Sequence, residues 1–248
     1  MKLSVCVDAV YRGKDFTESV KDVKSAGYDT IEFWTWWDKD LDMVRRAVEE
    51  AGVKVATFCT KFVSLVDPLK RGEYIHGLEE SIAAAKQLKC GSLISQVGQA
   101  LAGVSNDEQR QSIVDGLKAC APILERENVT LLVEPLNTKV NHNGYYLSSS
   151  AEAFEIVRQV GSPRVKVLYD IYHQQITEGN LIAAIVENIG YIGHFHAAGN
   201  PGRHELDVGE LNYEYIFKAI KETGFNGYVG LEYFPLDEPS AGLRKLRL

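Results

Sequence analysis

The segment Val129-Thr130-Leu131-Leu132-Val133-Glu134 has the composition of a buried β-strand and ends in a carboxylate. A second run of this kind, Val165-Lys166-Val167-Leu168-Tyr169-Asp170, follows after an amphipathic stretch at Ser149–Val160. Short apolar runs rich in β-branched residues, separated by longer amphipathic segments, are typical of parallel strands connected by helices. The segment from 129 to 170 therefore predicts a strand-helix-strand unit.

The same alternation extends over the whole chain and predicts eight strands. The predicted strands are Leu3–Val7, Thr30–Trp34, Val53–Phe58, Ser92–Gln96, Val129–Val133, Val165–Tyr169, Tyr191–Phe195 and Tyr228–Leu231. The predicted helices are Asp15–Ala26, Leu41–Ala51, Tyr74–Leu88, Asp107–Arg126, Ser149–Val160, Asn180–Asn188 and Tyr213–Thr223. Glycines lie between several of these helices and the next strand, where a left-handed residue commonly ends a helix; they are Gly27, Gly52, Gly91, Gly161 and Gly224.

Eight strand-helix units in 248 residues match the size of a TIM barrel. A doubly wound sheet usually has fewer strands and carries a glycine-rich phosphate turn after the first one, whereas here the first strand is followed by Asp8-Ala9-Val10-Tyr11-Arg12. We therefore predict an α/β protein with a single (β/α)8 barrel domain over residues 1–248. In such barrels the chemistry takes place at the carboxyl ends of the strands.

Composition excludes several classes of protein. The chain is 45% hydrophobic and 25% charged, which is enough for a full core, and its formal net charge of −7 repels a phosphate backbone, so nucleic acid is not an expected partner. The opening residues 1–13 are too short and too interrupted by charge for a secretory or membrane segment, so we predict a cytoplasmic protein without a membrane partner. The four cysteines lack any C-x-x-C spacing and are predicted to be reduced.

Each of the last four predicted strands is followed at once by an ionisable residue. These residues are Glu134, Asp170, His196 and Glu232. If their side chains point into the mouth of the barrel, they converge on one small volume. Three carboxylates packed together repel one another, and a divalent cation offsets that repulsion where a single imidazole does not. Oxygen ligands with one nitrogen suit Mn²⁺ or Mg²⁺, with Co²⁺ as an alternative.

For any one strand end, the alternative is an ordinary polar residue that faces a loop. His194 is the rival to His196, because it lies two positions earlier on the same face of the strand and one layer deeper in the barrel. A deeper histidine is more often a hydrogen-bonded core residue than a ligand. We therefore predict that His196 is the ligand.

Five motifs in the second half of the chain resemble the xylose-isomerase-like TIM-barrel sugar isomerases and epimerases. They are Glu134-Pro135-Leu136-Asn137, Tyr169-Asp170-Ile171-Tyr172-His173, His194-Phe195-His196, Pro201-Gly202-Arg203-His204-Glu205 with Gly209-Glu210-Leu211-Asn212-Tyr213, and Gly230-Leu231-Glu232-Tyr233. Within that superfamily the motifs are most similar to those of hydroxypyruvate isomerases. The resemblance is dense from Val129 onward, and before that point only the strand-helix rhythm is shared.

The resemblance implies an aldose-ketose type isomerase, an intramolecular oxidoreductase, that holds a divalent metal with the four residues at the strand ends. It also implies that Glu134 and Glu232 flank the reacting carbons as proton-transfer groups, in a reaction through a cis-enediolate. His173 and Arg203 match positions that bind substrate oxygens in related enzymes. The expected substrate is a small sugar or hydroxy-oxo acid, and barrels of this family commonly form homo-oligomers.

Two positions leave the choice between the hydroxypyruvate isomerases and the ketose 3-epimerases open. His196 stands where those enzymes usually carry glutamine, and histidine there is typical of the ketose 3-epimerases. Those epimerases carry a further glutamate six residues after the first metal-binding one, where this chain has Val140. A tagatose- or psicose-type 3-epimerase is therefore the first alternative, and a sugar dehydratase of the same barrel family is the second.

Two more classes are disfavoured by the sequence. A non-catalytic sugar-binding module has no need for both Glu134 and Glu232. A DNA-repair endonuclease of this fold needs a histidine-rich site for several zinc ions and a basic groove, whereas this chain has six histidines and a net charge of −7. Catalysis on a small molecule is the remaining prediction.

Further segments near the strand ends have two interpretations each. The aromatic run Phe33–Trp37 forms either an apolar wall over the substrate or a dimer contact, and alternation predicts that Trp34 and Trp36 share a face. The loop Asn141–Tyr146 is either a lid or an ordinary turn. If the substrate is a hydroxy-oxo acid, we expect Arg203 to hold its carboxylate by two parallel hydrogen bonds.

Overall fold

A computed structural model describes residues 1–246 and shows a barrel of eight parallel strands. Strands β1 to β8 are Lys2–Cys6, Thr30–Phe33, Lys54–Phe58, Ser92–Ser95, Thr130–Val133, Val165–Asp170, Ile192–Ala197 and Tyr228–Leu231. Their hydrogen-bonded order is β3-β2-β1-β8-β7-β6-β5-β4. The two outer strands meet at a parallel bridge between Cys59 and Ile94, where the Thr60 amide donates to the Ile94 carbonyl at 2.8 Å. The predicted TIM barrel is confirmed.

Ten α-helices lie in the described part of the chain. Helices α1 to α10 are Val7–Val10, Phe16–Ser25, Leu41–Ala51, Arg71–Gln87, Asn106–Glu127, Ser150–Val160, Ile171–Thr177, Leu181–Asn188, Tyr213–Glu222 and Pro239–Lys245. The seven predicted helices are all present, and three short ones, α1, α7 and α10, were not predicted. Helix α7 begins directly at the end of β6, and its first four residues are all buried, so it has no amphipathic stripe to mark it.

Local side-chain chemistry explains where the helices begin and end. Ser105 and Glu108 form a reciprocal cap at the start of α5, which satisfies two backbone amides that no earlier turn can pair. Gly52 ends α3 in the left-handed conformation, as predicted. Gly91 does not serve this role for α4: the helix ends at Gln87, and Lys89 takes the left-handed φ of 54° two positions earlier.

The barrel interior beneath the carboxyl strand ends is apolar on one side and polar on the other. Leu132 and Leu168, two positions before Glu134 and Asp170, form a small apolar cluster with Cys59 and Ile94. On the opposite side, the residue two positions before His196 is the buried His194. All four cysteines are buried and unpaired, as predicted. Among the described helices none is long and apolar enough to span a membrane.

Candidate active site

Four side chains meet at the carboxyl ends of β5, β6, β7 and β8. Glu134, Asp170, His196 and Glu232 are all buried, and one potential ligand atom from each lies within 4.8 Å of the others. The Nδ1 atom of His196 lies 3.1 Å from Glu232 Oε2, 3.3 Å from Glu134 Oε1 and 3.9 Å from Asp170 Oδ2. The structure thus brings together all four predicted strand-end residues. We call them the ligand cluster.

Backbone hydrogen bonds hold the members of the ligand cluster at one level. Asp170 and His196 face each other in the parallel register of β6 and β7. The Glu134 amide donates to the Ser95 carbonyl at 3.2 Å, and the Glu232 amide donates to the Ala197 carbonyl at 3.1 Å, so each glutamate continues the ladder just beyond its strand. The backbone of the strand ends therefore positions the four side chains without the help of a metal.

Asp170 also fixes the position of His173. Its Oδ1 atom accepts from the His173 amide at 2.9 Å and caps α7, while Oδ2 faces the cluster. The Nδ1 atom of His173 lies 3.2 Å from the Asn137 amide, which donates to it, so the ring proton is on Nε2. Burial lowers the pKa of His173 to about 4, which keeps the ring neutral at pH 7. Its buried Nε2 has no hydrogen-bond partner among the described residues.

Arg203 lies beside the cluster in the loop after β7. Its Nη2 donates to Glu232 Oε2 and lies 3.6 Å from Asp170 Oδ2. The guanidinium packs against the rings of Tyr172 and Phe234, with ring centroids 5.3 and 5.9 Å from Cζ. Its buried Nε has no partner among the described residues. Arg203 and His173 thus place two unpaired N–H donors next to the carboxylates.

The residues after Arg203 tie this loop to the loop after β8. The Phe234 amide donates to the Arg203 carbonyl at 2.7 Å, and His204 Nδ1 lies 2.8 Å from the Phe234 carbonyl. Buried Glu205 accepts from the Leu236 amide at 3.1 Å. His204 and Glu205 therefore bind backbone atoms of the loop after β8, and neither is hydrogen-bonded to the guanidinium of Arg203.

The aromatic run after β2 divides between two environments. Trp34 Nε1 donates to Glu232 Oε1 at 2.5 Å, which places this indole at the ligand cluster. Trp36 Nε1 instead donates to Ser81 Oγ on α4 at 3.1 Å. The prediction that the two indoles share a face is wrong, because β2 ends at Phe33 and the alternation stops there.

Glu32 is the buried polar residue at this site that the sequence analysis missed. It lies on β2 and is 1% exposed. One of its oxygens, Oε1, is 2.8 Å from His196 Nε2; the other, Oε2, is 3.0 Å from His194 Nε2 and accepts from Ser4 Oγ at 2.5 Å. The sequence signal was a charged residue between the apolar Ile31 and Phe33 of a predicted strand, because a buried carboxylate needs partners. His194 is a hydrogen-bonded core residue, as predicted.

The carboxylates around His196 differ strongly in pKa. Burial raises the pKa of Glu134 to about 7, and the like charges of Glu232 and Asp170 add to the rise against the opposing effect of His196. Burial acts in the same direction on Glu232, but Arg203 and His196 outweigh it and hold its pKa well below the usual range. His196 has a raised pKa despite its burial, because Glu232 and Glu32 stabilise its charged form.

The ligand cluster fits a divalent cation. Both ring nitrogens of His196 are buried without a well-aligned hydrogen bond, although carboxylate oxygens surround the ring. A divalent cation held by the ligand cluster would take the place of a proton on the imidazole and would neutralise the three carboxylates together. Three carboxylates with one imidazole form the mostly-oxygen donor set that suits Mn²⁺ and Mg²⁺.

Comparison with known proteins gives the family. The model of the xylose isomerase-like TIM barrel family matches residues 20–247. The chain belongs to that family. It is 32% identical over 246 residues to a putative hydroxypyruvate isomerase of Danio rerio, covering 94% of this chain and 89% of that protein. It is 29% identical over 255 residues to the hydroxypyruvate isomerase of Escherichia coli strain K12, covering 98% and 97%.

A third relative and two solved structures extend the comparison. The 2-oxo-tetronate isomerase of Pectobacterium atrosepticum is 26% identical, with 98% of this chain and 95% of that protein covered. A crystal structure described as AP endonuclease, family 2, from Brucella melitensis superposes with a TM-score of 0.93 at 28% identity, covering 98% and 96% of the chains. A D-psicose 3-epimerase, at 22% identity and a TM-score of 0.80 with 100% and 90% covered, shows the same fold.

Proposed function

We propose that the protein is a metal-dependent isomerase of a small hydroxy-oxo acid or sugar, with hydroxypyruvate-type acids as the first substrate class. The observation that carries the proposal is the convergence of Glu134, Asp170, His196 and Glu232 on one volume at the carboxyl ends of the strands. Relatives named isomerases align along nearly the whole chain, which supports the same class of reaction.

The reaction requires a proton to leave the carbon next to a carbonyl group. The enediolate that results is high in energy, so stabilising its negative charge is the main task of the site. A divalent cation supplies, when bound, a Lewis acid for the substrate oxygens. The chain itself supplies the group that moves the proton, and two glutamates of the ligand cluster are within reach of that role.

The two glutamates differ in how firmly they are held. Glu232 accepts from Trp34 Nε1 on one oxygen and from Arg203 Nη2 on the other, so both of its oxygens are engaged. The carboxylate of Glu134 instead lies beside His196 and the like charges of Glu232 and Asp170. We assign the removal and return of the carbon-bound proton to Glu134 and the orientation of Arg203 to Glu232.

Two unpaired donors beside the ligand cluster form the substrate-binding groups. His173 Nε2–H and Arg203 Nε–H are buried and have no partner among the described residues, which is a costly state unless a ligand accepts from them. Oxygens of a substrate seated over the ligand cluster satisfy both. The fixed charge of Arg203 favours a substrate that carries a carboxylate.

The ketose 3-epimerase is the second candidate. His196, the residue typical of those enzymes, lies in the ligand cluster with its Nδ1 towards the carboxylates. At the position where those enzymes carry a further glutamate, Val140 is 68% exposed and brings no acid to the site. The same enediolate leads to isomerisation, epimerisation or dehydration. The carbon and face to which the proton returns separate the first two reactions, and loss of a β-hydroxyl group marks the third.

A nuclease is disfavoured by the site. Among residues 1–246, the two groups with metal-binding geometry share His196, and the net charge of the chain is −7. We therefore propose a small-molecule substrate without a nucleic-acid partner. The cytoplasmic location and the homo-oligomeric state stay predictions.

The proposal is tested by turnover in deuterated water. Hydroxypyruvate, a 2-oxo-tetronate and neutral ketoses are incubated with the Mn²⁺-loaded protein, and products are followed by NMR. We expect an acid to be isomerised, with deuterium appearing on a carbon next to the carbonyl. Deuterium at the original carbon with inverted configuration indicates the epimerase, and loss of water indicates the dehydratase. A product free of deuterium contradicts the proton-transfer mechanism.

A further inference from the structure

A second polar layer lies beneath the ligand cluster inside the barrel. Glu32 on β2 reaches across the barrel to His196 on β7, although β1 and β8 separate these strands in the sheet. Its other oxygen is held by Ser4 Oγ at 2.5 Å and His194 Nε2 at 3.0 Å. We call Glu32, Ser4 and His194 the support layer. The mechanism proposed above does not use it.

The barrel wall is shaped to admit the Glu32 carboxylate. Gly230 pairs with His196 on one side and with Ser4 on the other. A Cβ atom at Gly230 would lie 2.1 Å from Glu32 Oε1, which is closer than real Cβ contacts. The glycine therefore leaves the space that lets Glu32 reach the imidazole, and any larger residue there displaces the carboxylate.

The contact determines which nitrogen of His196 is free. A neutral imidazole has one N–H and one lone pair. Glu32 Oε1 lies 2.8 Å from Nε2, and a carboxylate favours a proton on the nitrogen that it faces, so the lone pair is left on Nδ1, which faces the three carboxylates of the ligand cluster. Metal-ligating histidines commonly donate their other N–H to a carboxylate, which fixes the orientation of the ring.

Glu32, His194 and His196 also lie close enough together to suggest a second cation site. That interpretation conflicts with the chemistry of the ring, because a neutral imidazole cannot offer lone pairs on both nitrogens. The Nδ1 lone pair belongs to the ligand cluster, and Glu32 Oε2 is already occupied by Ser4 and His194. The support layer is therefore a set of hydrogen-bond partners.

We propose that Glu32 is a positioning residue that orients His196 and keeps the proton on Nε2, so that Nδ1 is presented to a divalent cation. Ser4 and His194 hold the Glu32 carboxylate in place, and Gly230 makes room for it. This inference rests on the metal site of the proposed function. It predicts that the affinity of the protein for the cation depends on a residue that does not touch the cation.

The test measures Mn²⁺ affinity directly, by titration with detection of free Mn²⁺ by electron paramagnetic resonance. Glu32→Gln has nearly the same shape as the wild-type residue and is expected to bind Mn²⁺ about 10- to 100-fold more weakly. Glu205→Gln is the matched control, because Glu205 is also a buried glutamate but binds the Leu236 amide away from the ligand cluster; this variant should bind Mn²⁺ as tightly as wild type. Circular dichroism and the melting temperature of the metal-free proteins establish that each variant is folded.

A second measurement does not depend on the folding of a variant. In wild-type protein loaded with Zn²⁺, ¹⁵N NMR of the histidine rings should show the His196 proton on Nε2. A proton on Nδ1, or a Glu32→Gln variant that is folded and binds Mn²⁺ as tightly as wild type, overturns the inference and leaves the proposed function standing. Failure of the wild-type protein to bind any divalent cation overturns the proposed function itself.

Discussion

Glu32 and Glu134 lie on opposite edges of the same imidazole ring and have opposite environments. Glu32 receives hydrogen bonds from Ser4 and His194 as well as facing His196; although burial acts to raise its pKa, the two histidines bring it to about 2. Glu134 faces His196 among other carboxylates, and burial raises its pKa to about 7. Glu32 is therefore held charged and in a fixed position, whereas Glu134 can exchange a proton or accept a cation.

The largest expected effect concerns Glu134, the glutamate to which we assign the proton transfer. Glu134→Gln should lower turnover about 10²- to 10⁴-fold at saturating Mn²⁺, because general acid–base catalysis typically contributes that much. Solvent deuterium incorporation into the product measures the loss. Glu205→Gln serves as the control, since Glu205 is also a buried glutamate but binds the Leu236 amide away from the ligand cluster. A Glu134→Gln variant with full exchange, alongside an inactive Glu232→Gln variant, reverses the assigned roles.

The next effect is on the stability of the metal-free protein at different pH. The folded-state pKa of Glu32 lies below its ordinary value of 4.5, so its charge contributes stability above pH 4.5 that is lost as the pH falls towards 2. A shift of this size corresponds to about 3 kcal/mol at most. The difference in unfolding free energy between wild type and Glu32→Gln should therefore grow from pH 2 to 4.5.

Glu134 should show the opposite sign in a different pH window. Its folded-state pKa is raised, so the unfolded chain releases this proton first and stability falls as the pH rises from about 4.5 to about 7. Glu134→Gln should become progressively more stable than wild type through that window. Chemical denaturation in a chelator at pH 3, 5 and 7.5 measures both variants. Equal pH profiles for the two would show that the environments do not differ as described.

A smaller effect concerns substrate choice at Arg203. A hydrogen bond between charged groups contributes about 1.5–3 kcal/mol, so Arg203→Met should lower kcat/KM for a hydroxy-oxo acid roughly 10- to 100-fold more than for a neutral ketose. The comparison of the two substrate types under identical metal loading is the measurement. Equal losses would show that Arg203 serves the carboxylates of the ligand cluster rather than the substrate, and would favour the ketose 3-epimerase.

The ligand cluster was predictable from sequence and the support layer was not. Glu134, Asp170, His196 and Glu232 each end an apolar run, and one rule about parallel barrels assigns them to a common place. Glu32 lies inside a strand of the first half of the chain, and its partner His196 lies on β7, which β1 and β8 separate from β2 in the sheet. Contact across the barrel depends on strand order and on the space at Gly230, which local patterns do not encode.

In the secondary structure too, features set by local sequence patterns were predicted and features set by tertiary contacts were missed. All eight strands follow from apolar runs, but α7 was missed because its first four residues are all buried although two of them are polar, so the sequence shows no apolar stripe. The different partners of Trp34 and Trp36 were also missed, because the end of β2 at Phe33 is set by the turn that follows. A periodic pattern of apolar and polar residues identifies most of the length of a helix or strand. The residue at which the element ends, and the partners of the residues there, depend on tertiary contacts.

The central claim is that the four residues of the ligand cluster hold one divalent cation, and equilibrium dialysis against Mn²⁺ tests it most directly. Asp170→Asn is the informative variant, since asparagine can still accept from the His173 amide and cap α7 but lacks the charge. We predict one Mn²⁺ per wild-type chain and no retained Mn²⁺ in Asp170→Asn at the same free concentration. Equal occupancy of the two proteins, or a wild-type chain that binds no Mn²⁺, would contradict the account.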